Sequence, residues 1–306
     1  MTKVNLRHFT LSAAALAALT LAATPALAAT CGKGTFAAFI GDFKKEASAK
    51  GISKRGLAAL DGITLDDKVL AADKRQHVFK QSFEQFSGRM ISPSRLSKGK
   101  SLMAQHGATL KRIEQQYGVP GAVIVAIWGL ETDYGSNQGK MSVVRSVATL
   151  AYDCRRSERF QNELIDALRI IDKGDMTSAE MRGDWAGEIG QTQFLPSSFV
   201  KYAVDGDGNG RRDLVHSVPD VLASTANYLK SHGWQRGQGW APGQPNFSAI
   251  QQWNKAEVYA KTIAAFADRL DGGKSAKSAD KPADKASQKL APDKRVERST
   301  QGRTRR

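Results

Sequence analysis

The chain has 306 residues, with 45 Lys and Arg against 30 Asp and Glu, 41% hydrophobic residues and two cysteines. That length and apolar content allow a substantial core, and two cysteines without a CxxC motif or a Cys/His cluster exclude a cysteine-built zinc site. The formal net charge of +15 points to a polyanionic partner.

The first residues predict a compartment. Lys3, Arg7 and His8 form a short basic start, Leu11 to Ala23 is apolar, and Ala26-Leu27-Ala28 supplies a small-x-small cleavage pattern before Ala29. Residues 1–28 therefore read as a signal peptide; the apolar run is too short for a membrane span, and Thr30 argues against lipid attachment at Cys31. The expectation is an exported, periplasmic protein, soluble or peripherally wall-associated, with Cys31 and Cys154 joined as one disulfide. Closing a loop of that size, about 120 residues, is worth roughly 4–5 kcal/mol on the chain-entropy model. Export also sets aside nucleic acid as the anion and favours wall polymers, lipid headgroups or wall-peptide carboxylates.

Periodicity then predicts helices in chain order. Phe36, Phe39, Ile40 and Phe43 mark one from Phe36 to Lys50, stopped by Gly51; a short one runs from Arg55 to Leu60. Lys68 to Phe86 mixes helix and loop, with Phe79, Phe83 and Phe86 on one face, and Ser101 to Tyr117 is amphipathic, ending at Gly118. Pro120 opens a segment from Ala122 to Leu130 with almost no polar face, a buried helix that carries Glu131 at its end. Val143 to Tyr152 follows. Ser157 caps a long helix striped by Phe160, Leu164, Ile165, Leu168 and Ile171 and closed by Gly174. Pro196 to Ala203, Val218 to Ser231, and Trp253 or Asn254 to Leu270 complete the set. No alternating strand pattern stands out. The fold class is all-α, one domain over residues 29–271, with two lobes around a cleft.

From Gly272 to Arg306 the composition changes. This stretch holds eleven Lys and Arg, four Asp and Glu, one Leu, one Val and no aromatic residue, too little apolar surface to offset its ordering entropy. It is expected to be a disordered basic tail suited to an anionic wall or membrane surface.

Three constellations carry chemistry. In Gly129-Leu130-Glu131-Thr132-Asp133-Tyr134-Gly135, a carboxylate at the mouth of an apolar helix is partly desolvated, which raises its pKa and suits a general acid. The alternative is a solvated last turn. The second, Gly183 to Ser198, contains Gly190-Gln191-Thr192-Gln193-Phe194-Leu195-Pro196-Ser197-Ser198, whose amides and hydroxyls can hydrogen-bond polar rings; it lacks GxGxxG spacing. The third, Asp205-Gly206-Asp207-Gly208-Asn209-Gly210-Arg211-Arg212-Asp213, matches the front of an EF-hand loop. It has oxygens at positions 1, 3, 5 and 9, glycine at 6 and the Arg211 carbonyl at 7. Position 12 is His216, so the final carboxylate falls to Asp220, which also fits a capping box with Ser217. A metal-free Asp/Gly turn is the competing reading.

Together with Ala226-Asn227-Tyr228-Leu229-Lys230-Ser231-His232-Gly233-Trp234, these segments in this order resemble the lytic murein transglycosylases of the B family. The resemblance implies a lysozyme-like α fold with a helical N-terminal lobe. It also implies cleavage of the β-1,4 bond between N-acetylmuramic acid and N-acetylglucosamine, with a 1,6-anhydro product and no cofactor for the chemistry. Glu131 matches the family's single catalytic glutamate, and Gln193, Tyr228, Asn254 and Tyr259 fall where sugar-holding residues lie. Asp184 falls where some members have serine. The Asp205 loop matches a calcium loop with Asp205, Asp207, Asn209, Arg211, Asp213 and Asp220 as candidate ligands. Two rivals remain: a hydrolase in which Glu188 joins Glu131 as a carboxylate pair, and a wall-binding module without chemistry.

Overall fold

The computed structural model describes residues 29–75 and 81–273; the predicted signal peptide, Phe79 and the tail beyond Gly273 lie outside them. The helices run α1 Phe36–Ala49, α2 Lys54–Ala58, α3 Asp67–Lys74, α4 Phe83–Met90, α5 Pro93–Gln105, α6 Gly107–Tyr117 and α7 Gly121–Thr132. After β1, Met141–Ser142, come α8 Val143–Tyr152 and α9 Ser157–Lys173. The order ends with β2 Arg182–Gly183, α10 Pro196–Tyr202, α11 Val218–Ser231, α12 Phe247–Trp253 and α13 Glu257–Leu270.

Apolar patterning explains the arrangement. Every residue of α7 except Glu131 is buried, so the helix needs partners all round, and α13, α5, α11 and α6 provide them. A second group forms on α9, which packs against α8, α10 and α2, while α3 and α1 rest on α8. The helices of the N-terminal lobe, α1 to α3, thus rest on α8 and α9 from the middle of the chain. The disulfide holds that arrangement: Cys31 and Cys154 are bonded with Cα atoms 5.1 Å apart, across 123 residues of sequence.

Several boundaries differ from expectation. The helix predicted over Ser101–Tyr117 is two, because His106 leaves helical geometry (φ −99°, ψ 18°) before Gly107. The first of them starts earlier than its apolar pattern, at Pro93, behind a Ser92 cap. Ser157 does not cap α9; its hydroxyl donates to the carbonyl of Ala151, and it is the first helical residue. The last helix begins later than expected, at Glu257, and is preceded by the unpredicted α12. Asn254 ends α12 in extended conformation and its Oδ1 accepts from Ala256 N–H at 3.0 Å, the local turn that asparagine favours.

Candidate active site

Two short antiparallel pairings, Met141 with Gly183 and Ser142 with Arg182, are too brief to show as alternation in sequence. They anchor the Gly-rich segment, which folds on itself through bridges Gly183–Ile189 and Ile189–Phe194. The chain approaches so closely here that a Cβ on Gly183 would lie 1.7 Å from the carbonyl oxygen of Glu188. Glycine at 129 has a similar reason, since a Cβ there would lie 2.8 Å from the ring of Tyr134, wedged between α5 and α7. Asp133, Tyr134 and Gln193 take positive φ of 52°, 61° and 52°, uncommon for non-glycine residues and concentrated at functional turns.

Glu131 stands at the end of α7, partly open to the cleft. Its Oε1 accepts from Trp253 Nε1–H at 2.9 Å and from Tyr259 O–H at 2.9 Å. Burial pushes its carboxyl above the usual range, against those two hydrogen bonds, which favour the ionised form. With both lone pairs of Oε1 engaged, the proton belongs on Oε2. The two donors come from residues 122 and 128 positions along the chain.

A network beneath fixes this end of the helix. Gln191 accepts from Trp128 Nε1–H at 2.9 Å on its side-chain oxygen, and its amide donates to the Val215 carbonyl at 2.9 Å. Its own carbonyl accepts from the buried Thr132 hydroxyl, whose oxygen accepts from Gly135 N–H at 2.9 Å. On α9, the buried Glu163 accepts from Ser197 N–H at 2.9 Å and Ser197 O–H at 2.8 Å, holding the start of α10 beside Leu195 and Ser198 of the cleft wall.

The cleft extends to both sides of Glu131. On one side, Glu131, Glu188, Gln193, Phe194, Leu195, Ser198, Tyr228, Gln252, Trp253 and Asn254 enclose about 220 Å³. On the other, Glu131 and Gln193 are joined by Asp184 and the loop from Gly135 to Lys140. Gln193 therefore faces both halves; its amide donates to the carbonyls of Gly190 at 2.7 Å and Gln138 at 3.2 Å. The Tyr228 hydroxyl donates to the Gln252 carbonyl at 2.7 Å, and burial lifts its pKa to about 12.

Of the predicted sugar contacts, Asp184, Gln193, Tyr228 and Asn254 line the cleft. Tyr259 does not: it is buried with its hydroxyl on Glu131. By sequence Trp253 is only one of four tryptophans able to stack on a sugar, beside Trp185, Trp234 and Trp240, and the loop residues 136–140 carry no signal. Asp133 is no free loop carboxylate, for it pairs with Arg95 at 3.2 Å and Lys98 at 3.5 Å. Glu188 lies in the cleft wall, lifted to about 7 by burial first, then by the charges of Glu131 and Asp184, with Arg159 opposing.

At the acidic loop, Asp205, Asp207 and Asp220 bring one oxygen each within 4.8 Å of one another. Asp205 accepts from Gly208, Asn209 and Gly210 N–H groups, and those bonds, Gly210 first, hold its pKa down. Asp220 accepts from the N–H groups of Gly206, Asp207 and Asp213, yet its burial raises it. Asp220 thus lies against the loop, tied to its backbone. Asp213 turns away, accepting from Val215 and His216 N–H groups at 2.9 Å, and Asn209 accepts from Arg211 N–H at 2.8 Å. Donor type and convergence suit a hard cation, although the three oxygens provide only part of a calcium shell.

Residues 35–243 match the family profile described as the transglycosylase SLT domain. The chain belongs to this family. The membrane-bound lytic murein transglycosylase B of Escherichia coli is 38% identical over 166 residues, 52% of this chain and 46% of that protein; the chain thus spans about half the length of the curated relative it matches. SltB3 from Pseudomonas aeruginosa, solved in complex with NAG-anhNAM-pentapeptide, superposes with a TM-score of 0.74 at 33% identity, covering 78% of this chain and 80% of that one. The Escherichia coli lytic transglycosylase Slt35, solved in complex with calcium, superposes at 0.68 with 26% identity over 76% and 92% of the two chains. The fold is that of these lysozyme-like, mainly helical enzymes.

Proposed function

We propose that the chain is a lytic murein transglycosylase, cleaving the β-1,4 bond between N-acetylmuramic acid and N-acetylglucosamine and leaving a 1,6-anhydro end. The observation that carries this reading is Glu131: one desolvated carboxyl, immobilised through Oε1 by Trp253 and Tyr259, at the junction of two cleft halves. Its Oε2 proton passes to the leaving glycosidic oxygen as the bond to C1 breaks. The resulting carboxylate takes the proton of the muramyl C6 hydroxyl as that oxygen bonds to C1, so the acid is regenerated and no water enters. Because the substrate supplies its own nucleophile, the carboxylate pair of ordinary glycosidases is not needed.

Gln193, Tyr228 and Asn254 would hold the sugars, with Asp184 in the opposite half, and Tyr259 and Trp253 would keep Glu131 aimed. The relative solved with a NAG-anhNAM-pentapeptide supports the product assignment. The test is mass spectrometry of peptidoglycan digested with the protein and with Glu131→Gln. Muropeptides ending in 1,6-anhydromuramic acid, absent with the variant, are the expected result. Reducing ends would mean hydrolysis and bring Glu188 forward; no product from either protein would favour a wall-binding module.

Export to the periplasm follows from the signal-peptide pattern; among the described residues no helix is long and apolar enough to cross a membrane. Asp205, Asp207 and Asp220 would hold a structural calcium ion, a reading supported by their convergence and by the calcium complex of Slt35. Residues 272–306 would attach the enzyme to anionic wall: their removal should weaken wall binding at low salt and leave turnover of soluble glycan unchanged.

A further inference from the structure

Ala29 is 4% exposed. Its N–H donates to Oε2 of Glu46 at 3.0 Å, and its carbonyl accepts from Gln161 Nε2–H at 3.0 Å. Glu46 is itself buried on α1, with its other oxygen 2.7 Å from Lys50 Nζ. The residues that follow are fastened to the turn after α8. Gly32 N–H donates to the Tyr152 carbonyl at 3.1 Å, the Tyr152 hydroxyl donates to the Gly34 carbonyl at 2.8 Å, and Cys31 is bonded to Cys154. Nothing in the glycan chemistry uses this arrangement, and a peptide N–H alone does not require a buried carboxylate.

We propose that Ala29 is the first residue of the mature protein and that its α-ammonium locks onto the Glu46 carboxylate. This rests on the reading of residues 1–28 as a signal peptide. A peptidase selective for small residues hydrolyses the Ala28–Ala29 bond: water supplies the oxygen that makes Ala28 a carboxylate, and the Ala29 nitrogen takes up protons to become an ammonium ion. The hydrogen bond to Glu46 then changes from a neutral donor to a charged one, roughly twice as strong. Order follows from burial. A peptidase needs the chain extended and accessible on both sides of the bond, whereas Ala29 is enclosed and bonded through both N–H and C=O. Cleavage therefore precedes docking, and docking completes the packing of α1 on the α8–α9 turn.

The experiment compares the disulfide-bonded protein beginning at Ala29 with the same protein carrying one extra Gly before it, each with Glu46 and with Glu46→Gln. The α-ammonium is displaced in the extended chain, so its melting temperature should fall by roughly 3–6 °C, and that difference should vanish in the Glu46→Gln background. The α-amine of the Ala29 form should also titrate above its ordinary range, read by pH-dependent acylation of the terminus. An equal loss from the extension in both backgrounds, or no loss in either, would overturn the lock. N-terminal sequencing of the exported protein tests the processing separately: a start at any other residue would overturn the assignment of Ala29 even if the engineered chain shows the coupling.

Discussion

The cleft and the acidic loop both concentrate carboxyl groups, yet Asp205 of the loop and Glu131 of the cleft are shifted in opposite directions. Around Asp205, three backbone N–H groups of the loop converge on one side chain and hold it ionised. Around Glu131 the donors are two side chains on a single oxygen, and burial outweighs them. Glu188, with no hydrogen bond or ion pair to its carboxyl among the described residues, rises to about 7. Where backbone amides outweigh desolvation, as at Asp205, a carboxyl ionises more readily; where burial wins, as at Glu131, Glu188 and Asp220, it holds its proton to higher pH.

Breaking the cleft side of this contrast should have the largest effect. Glu131→Gln keeps the shape and both donors in reach but removes the transferable proton, so formation of anhydro ends should fall on the order of 10³-fold or more, with the melting temperature little changed. On the loop side, adding calcium to metal-stripped protein at about 100 times the dissociation constant should raise the melting temperature by roughly 5–10 °C, and Asp205→Ala should abolish that rise. A melting temperature indifferent to calcium and chelator would leave the loop as a metal-free turn.

Subtler changes sharpen the contrast through the pH profile. On the proposed mechanism Glu131 acts first as an acid, so activity should be present below its raised pKa and lost as pH climbs through it. The Glu188 charge lies in the same cavity, and repulsion between two carboxylates is mutual. Replacing Glu188 by Gln should therefore move the alkaline limb of kcat/KM to lower pH, on the order of one unit; an unmoved limb would show the two groups to be independent. Trp253→Phe and Tyr259→Phe each remove a donor that favours the carboxylate, so the limb should move the other way, by about half to one unit. Opposite shifts from neighbours of one carboxyl are hard to produce by general loosening.

Much of this was legible in the sequence, for reasons that can be named. Helices with a clear apolar stripe, such as Val218–Ser231, appear with the expected bounds, because tertiary packing and local pattern agree. Glu131 was legible because it is the first charged residue at the end of a continuous apolar run. Its support was not: Trp253 and Tyr259 lie more than 120 residues away, on helices where an aromatic residue reads equally as core. Tyr259 looked like a sugar contact for the same reason. The 135–140 loop carries no periodicity, and only its packing against the Gly-rich segment brings it into the cleft. At the acidic loop, spacing suggested six ligands, but Asp213 is drawn off by the turn it begins, toward its own N–H neighbours.

The way the chain crosses between its two bodies also governs its assembly. Helices α1 to α3 are made first, but their partners α8 and α9 arrive only with residues 143–173. In between, the chain builds the helices of the other body, including the wholly apolar α7. Neither body corresponds to a continuous stretch that could be produced alone, and contacts so distant in sequence slow the search for the folded state. A chain ending before Val143 would hold α1 to α3 without α8 and α9, which makes the stretch from α8 to α9 the step that commits this domain to fold.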